Sequence, residues 1–271
     1  MNEYNKFLNE CREEILEQGR NTFFTQLTRE WINIANSHKY SYHFNCLGRP
    51  IIQYPQDMIA VQELIWKVKP DLIIETGIAH GGSLIMSAFM LSILDYCDAL
   101  EAGHIIDPQS PRRRVLGIDI EIRPHNKLAI ETHPMSHRID MIQGSSISSD
   151  IITQVHEIAK NYKRVFVCLD SNHTHDHVLA ELEAYAPLVS KESYCLVFDS
   201  IIEDFSSEMY PNRPWSKGNN PKTAIWEYLR RLKEENRKAA DDSLLRFEVD
   251  KTIENKILIT VAPDGYLKRV G

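Results

Sequence analysis

Three observations predict an α/β fold built on a parallel sheet covered on both faces. Short, continuous apolar runs recur along the chain, as strands buried on both sides require. Helical stretches alternate with those runs, the order expected when helices connect parallel strands. One run, L-I-I-E-T at residues 72–76, passes through the glycine-rich turn G-I-A-H-G-G into a helix that opens at Ser83.

The elements follow in order. Residues 5–37 are helical in pattern, with Leu8, Cys11, Ile15 and Leu16, then Phe23, Phe24, Leu27 and Trp31, at apolar positions. Gly19 is the expected break between two helices. An apolar arm of this kind suits either a cap over a site or burial in a second subunit, and a homo-oligomer is the expectation. A loop from His43 to Asp57 is punctuated by Gly48, Pro50 and Pro55. A helix over 56–68 is stopped by Pro70. Strands are expected at 71–76, 114–120, 138–143, 164–170 and 193–200, and helices at 82–96, 124–132, 148–160 and 176–188. Residues 205–221 carry three prolines with Met209, Tyr210 and Trp215, and read as a long loop suited to a lid. A helix over 222–240 and two strands near 245–250 and 256–262, close enough to pair antiparallel, complete the chain. The expected partition is a helical arm and loop over 1–55 and one α/β domain over 56–271.

Composition narrows the partners. The 271 residues carry a formal charge of −7, which argues against a nucleic-acid surface. The basic run Arg112 to Arg114 is short and reads as a solvated loop. The N-terminus is polar and acidic, without the apolar segment of a secretory signal, and no apolar run approaches the ~20 residues of a membrane span. Five scattered cysteines fit reduced thiols, so a cytoplasmic location is expected.

The glycine-rich turn carries the first chemistry. Glycines let backbone approach a ligand, and a helix N-terminus offers free N–H groups to a carboxylate or phosphate. Neither the dinucleotide fingerprint nor a P-loop lysine is present. Glu75, just before the turn, would repel a phosphate and suits an amino group. S-adenosylmethionine (SAM) carries an ammonium and a carboxylate together. Asp119 ends the second strand in G-I-D-I, where an acid accepts ribose hydroxyls. The third strand ends in Q-G-S-S at 143–146, whose small residues let an adenine lie flat or cap a helix equally well.

Asp170 and Asp199 each end a buried apolar run, and C-terminal strand ends share one sheet edge. Two carboxylates there repel unless a cation or proton lies between them, and oxygen ligands favour Mg²⁺. Ser200 offers a further oxygen. S-N-H-T-H-D-H follows Asp170, and its histidines have three readings: a general base with substrate positioning, a zinc or iron site, or a polar helix start. The spacing H-x-H-D-H is one residue short of the binuclear zinc hydrolase pattern.

On these residues, the chain resembles the cephalosporin hydroxylase-type methyltransferases and their relatives, the rhamnosyl O-methyltransferases. The resemblance runs from about Phe44 to Leu267. It rests on L-G-R-P-I-I-Q-Y-P-Q-D, I-I-E-T-G-I-A-H-G-G-S, G-I-D-I, L-D-S-N-H-T-H-D-H-V and N-N-P-K-T-A-I. It implies a Rossmann-like SAM-methyltransferase fold, a seven-stranded sheet with an antiparallel last strand, and Mg²⁺ dependence. Glu75, Gly77, Gly81 and Ser83 would then hold the methionine part of SAM, Asp119 the ribose, and Ser145 would lie near the adenine. Asp170 and Asp199 would ligate the metal. The family often has an acid before the second metal aspartate, where this chain has Phe198; more water, or Ser200, would then complete the site. Similarity to catechol O-methyltransferase, whose catalytic lysine falls near His173, makes His173 the expected base and His175 its alternate.

The expected reaction is Mg²⁺-assisted methyl transfer from SAM to a hydroxyl of a small molecule, with a sugar of a glycan, glycolipid or secondary metabolite as the expected acceptor. Two rivals stand beside it. One is a mononuclear metal oxygenase or hydrolase built on the His173–His177 cluster. The other is a non-catalytic SAM-binding subunit.

Overall fold

The computed structural model describes residues 2–271; Met1, the first residue of the expected arm, lies outside them. The arm is two helices, α1 (Glu3–Arg20) and α2 (Thr22–Ser37). The break falls at Asn21, not Gly19, because the Asn21 side chain accepts from the Phe24 amide and caps α2. Gly19 lies inside α1, where any larger side chain would overlap Asn255. The following loop contains a hairpin, β1 (Phe44–Cys46) with β2 (Arg49–Ile51), turned by Leu47 and Gly48, both at positive φ.

The domain then alternates: α3 (Pro55–Val68), β3 (Leu72–Thr76), α4 (Gly82–Ala102), β4 (Arg114–Asp119), α5 (Pro124–Glu131), β5 (Ile139–Gln143), α6 (Ser149–Ala159), β6 (Val165–Leu169), α7 (His175–Tyr185) and β7 (Tyr194–Val197). It ends with α8 (Pro221–Glu234), β8 (Phe247–Val249), α9 (Lys251–Ile257) and β9 (Tyr266–Arg269). The seven-stranded sheet runs β5-β4-β3-β6-β7-β9-β8. Its first five members pair in parallel, and β9 lies antiparallel between β7 and β8. The chain winds outward from β3 to β5 and then returns to place β6 on the other side of β3. That reversal opens a crevice at the C-terminal ends of β3 and β6, where ligands of such sheets bind. One apolar layer fills each face of the sheet, with Ile73, Leu84, Leu91 and Phe166 on one side and Ile74, Leu116, Val167 and Leu182 on the other.

Three expectations are corrected. The strand expected at 256–262 is absent: Asp250 caps α9 by accepting from the Thr252 amide, and residues 258–263 form a turn bound to Asp57. The last strand is β9 instead. The helix expected over 222–240 ends at Glu234, where Arg237 turns back to pair with Glu183. Among the described helices, α4 is long and apolar enough to cross a membrane, contrary to the expectation of no such run. Here Leu84, Ile85, Ala88, Leu91 and Leu94 pack it against the sheet.

Candidate active site

The turn after β3 is shaped by neighbours far away in sequence. Gly77 has φ of 89°, and a Cβ there would overlap the Asp170 carbonyl, so this position requires glycine. Gly82 lies so close to the Pro50 carbonyl that a side chain could not fit. The loop carbonyls are clamped from outside. Arg49 donates to the His80 carbonyl at 2.7 and 2.9 Å and to Asn126, whose amide donates to the Ala79 carbonyl at 2.9 Å. Neither Arg49 nor Asn126 received a role from sequence; Arg49 stands within the L-G-R-P motif, but its contact with Asn126 spans 77 residues.

Glu75 is buried behind this loop and accepts the Ser83 hydroxyl. Burial pushes its carboxyl up to about 7, against the lowering effect of that bond. Asp119 does not project freely from β4. Its Oδ2 accepts from the Ile78 and Ala79 amides at 2.8 and 3.3 Å, and its Oδ1 from the Glu121 amide at 3.0 Å. It therefore organises the loop, and its remaining lone pairs are what it can offer a ribose. Ser145 opens the turn into α6, with its carbonyl accepting from Ser148. Gly81, at φ of 81°, precedes the first turn of α4 beside Ser83.

At the ends of β6 and β7, Asp170, His173 and Asp199 offer ligand atoms all within 4.8 Å of one another. His173 Nε2 lies 3.0 Å from Asp199 Oδ2. Burial, then the Asp199 charge, holds the Asp170 carboxyl well above the usual carboxylate range. Asp199 sits at φ of 53°, in a tight turn between β7 and a short 3₁₀ helix over Ser200–Asp204.

Two cavities of about 390 Å³ meet at this cluster. One follows the glycine-rich loop from Gly77 to Ser83 and reaches Arg123 and Asp170. The other is lined by Tyr42, Tyr54, Met209 and Tyr210, with Asn36 and Ser37 from α2. Tyr42, Ile52, His173, Asp199, Arg213 and Trp215 line both. Residues 205–221 thus wall the second cavity, and Asn36 of the arm donates to the Tyr210 hydroxyl at 2.8 Å.

Several sequence assignments do not meet at the cluster. Ser200 is fully buried and donates its hydroxyl to the Pro263 carbonyl at 2.5 Å, so it is not presented as a metal ligand. His175 begins α7 with Nδ1 2.9 Å from the Thr223 hydroxyl, which turns it toward α8 and away from a base role. His177 lies 3.1 and 3.2 Å from the Ser146 and Ser171 hydroxyls and 3.5 Å from Glu181. The three histidines therefore do not form one centre, which removes the basis of the oxygenase or hydrolase reading.

Comparison with known proteins identifies the family. Residues 38–270 match the family described as rhamnosyl O-methyltransferase/CmcI. A rhamnosyl O-methyltransferase of Mycobacterium bovis (strain BCG / Pasteur 1173P2) is 29% identical over 217 residues, covering 79% of this chain and 73% of the relative. Another, of Mycobacterium leprae (strain TN), is 27% identical over 226 residues and covers 82% of each chain. A solved structure of cmcI with Mg and SAM has a TM-score of 0.50 at 16% identity, covering 85% of this chain and 78% of that one, a likeness of fold. The chain belongs to the rhamnosyl O-methyltransferase/CmcI family of SAM-dependent O-methyltransferases.

Proposed function

We propose that this protein transfers the methyl group of SAM to a hydroxyl of a sugar, rhamnose being the first candidate, with a divalent cation at Asp170 and Asp199. The observation that carries this reading is the pair of cavities sharing His173 and Asp199 as a common wall. A donor in one and an acceptor in the other meet at a cluster suited to a cation. The mycobacterial relatives, named rhamnosyl O-methyltransferases, support a rhamnosyl acceptor. The cmcI structure, solved with Mg and SAM, supports those two cofactors.

The residues fit both groups. Asp170 and Asp199 have no Lys or Arg partner among the described residues, so their mutual repulsion is left for a cation to relieve. Behind the loop that lines the first cavity, buried Glu75 suits the SAM ammonium, and the N-terminus of α4 suits its carboxylate. Asp119 is assigned the ribose hydroxyls and Ser145 the adenine side. In the second cavity, Tyr42, Tyr210 and Trp215 offer faces to a sugar ring.

A bound divalent cation would lower the pKa of the acceptor hydroxyl. The chain itself contributes positioning. The Arg49–Asn126 clamp holds the donor loop, and the Asp199 turn sets the edge that the acceptor meets. Residues 205–221 act as the lid that excludes water, with Tyr210 anchored on Asn36. Exposed Phe23, Leu27 and Ile34 on the arm support the homo-oligomer reading, and five free cysteines support a cytoplasmic location.

The deciding experiment is transfer of labelled methyl from SAM to rhamnose-bearing acceptors, alongside calorimetry of SAM with and without Mg²⁺. SAM binding together with cation-dependent labelling of a rhamnosyl hydroxyl is expected. Absence of SAM binding in every condition sinks the proposal, and labelling of an amine instead of a hydroxyl sinks its acceptor half.

A further inference from the structure

We infer that the acceptor is a sugar carrying a phosphate group, not a neutral glycoside, and that Lys39 and Arg213 in the second cavity bind that charge. This rests on the methyl-transfer reading above and narrows its acceptor.

The charge balance of the two cavities points to it. Besides His173, the second cavity is lined by two cations, Lys39 and Arg213, and by one carboxylate, Asp199. Asp199 is already assigned, with Asp170, to the divalent cation. Neither Lys39 nor Arg213 has a carboxylate partner among the described residues. The first cavity adds Arg123 to its lining and, beyond Asp170 and Asp199, no carboxylate. SAM supplies no counter-charge, since its sulfonium and ammonium outnumber its carboxylate. The negative charge complementary to Lys39 and Arg213 therefore comes with the acceptor.

Both side chains start from a fixed place. Lys39 follows α2 at φ of 53°. Its amide donates to the Asn36 carbonyl, and its carbonyl accepts from the Tyr42 amide, each at 2.9 Å. The arm thus brings a charge to the cavity as well as the Asn36 bond to Tyr210. Arg213 stands in the 205–221 segment with its guanidinium over the Trp215 ring, 5.1 Å from the centroid. Trp215 in turn meets His173 edge-on, with centroids 4.7 Å apart. Contact with the indole engages the face of the guanidinium and leaves its N–H edges for a phosphate, which that fork meets with two parallel bonds. A sugar whose hydroxyl reaches Asp199 finds Arg213 within the same cavity.

Calorimetry on the full chain, with Mg²⁺ and S-adenosylhomocysteine present, compares rhamnose 1-phosphate, methyl α-rhamnoside and inorganic phosphate. Rhamnose 1-phosphate is expected to bind at least about tenfold tighter than either of the others, and its advantage over the methyl rhamnoside should shrink as salt rises. In the double variant Lys39→Gln, Arg213→Gln that advantage is expected to fall to within about twofold. Arg213→Lys, which keeps the charge, should retain more of it than Arg213→Gln. Equal affinity for the phosphate and the methyl rhamnoside overturns the inference, and labelled methyl transfer to the methyl rhamnoside then leaves the proposed function standing. An advantage kept in full by the folded double variant also overturns it, because the phosphate then sits on the bound cation. Inorganic phosphate as tight as rhamnose 1-phosphate overturns it too, since an anion alone then suffices. The expected preference without labelled transfer to either sugar overturns the proposed function and leaves a phosphate-sugar site.

Discussion

The Tyr266 hydroxyl donates to Asp57 Oδ1 at 2.6 Å in the buried floor beneath the candidate cation site. The second oxygen of Asp57 accepts from the Val261 amide at 3.0 Å, and the Val261 carbonyl accepts from the Ile201 amide at 3.1 Å. Ile201 is two residues beyond Asp199. A carboxylate on α3 thus fixes the turn that aims Asp199, and it does so through the segment that replaces the expected strand at 256–262.

That buried carboxylate makes stability depend on pH. Burial pushes Asp57 up to about 6 from 3.8, against hydrogen bonds from Thr260, Tyr266 and Val261 that pull it down. The folded state therefore holds the proton more tightly than the unfolded chain. The resulting stabilisation is fully present below the unfolded value and is lost as pH rises through about 6. Relative to Asp57→Asn, the wild type should gain roughly 1 kcal/mol between pH 7.5 and pH 5. Urea unfolding at the two pH values checks this, and an unchanged gap refutes it.

Glu75 should make SAM affinity pH-dependent. With its carboxyl near 7 in the free protein, Glu75 is largely protonated at pH 6 and must release that proton to meet an ammonium. SAM affinity should fall about tenfold per pH unit below 7 and level off above it. Glu75→Gln should bind weakly with the slope abolished. Calorimetry in buffers of different ionisation enthalpy reads the proton release directly.

Gly77→Ala should damage the site through backbone alone. Its φ of 89° and the Asp170 carbonyl leave no room for a Cβ, so β6 and the loop must separate. A loss of at least about 2 kcal/mol in unfolding free energy is expected, together with loss of SAM binding. A variant with wild-type stability and affinity would show that the loop end of β3 yields more than this packing implies.

Tyr210 lines the cavity proposed for the acceptor and not the cavity of the glycine-rich loop. Tyr210→Ala should raise the acceptor KM roughly tenfold, the size of one lost ring contact, and leave SAM affinity unchanged. A matched loss of SAM affinity would mean that the two cavities are not separate compartments.

Much of this architecture is legible in sequence because it is local. Runs ending at Thr76, Asp119, Asp170 and Asp199 declare strand ends, and the reversal after β5 gathers them at one edge. What sequence misplaces depends on orientation. Ser200 neighbours Asp199, but the positive φ at Asp199 turns its hydroxyl to Pro263. His173, His175 and His177 look like one cluster until α7 begins at His175 and rotates the last two toward α8 and α6. The apolar run I-L-I-T-V-A has strand composition, yet Thr260 within it bonds to the Asp57 carboxylate, 203 positions away. No local pattern announces that bond or the Arg49–Asn126 clamp.

Asp170→Asn separates the stability of the cluster from its use. In the cation-free protein, burial and the nearby Asp199 charge oppose ionisation of Asp170, and Gln53 is a weak partner at 3.5 Å. Replacing a carboxyl whose ionisation the fold opposes with a neutral amide should stabilise the cation-free protein by on the order of 1 kcal/mol, because active-site acids are commonly held at a cost to stability. The same change removes a ligand, so the rise in melting temperature that Mn²⁺ or Mg²⁺ gives the wild type should disappear. Thermal unfolding of both proteins, with and without each ion, tests the two effects in one experiment. A variant that is less stable without ions, yet still stabilised by them, would show that Asp170 is a structural acceptor and that the cation binds elsewhere.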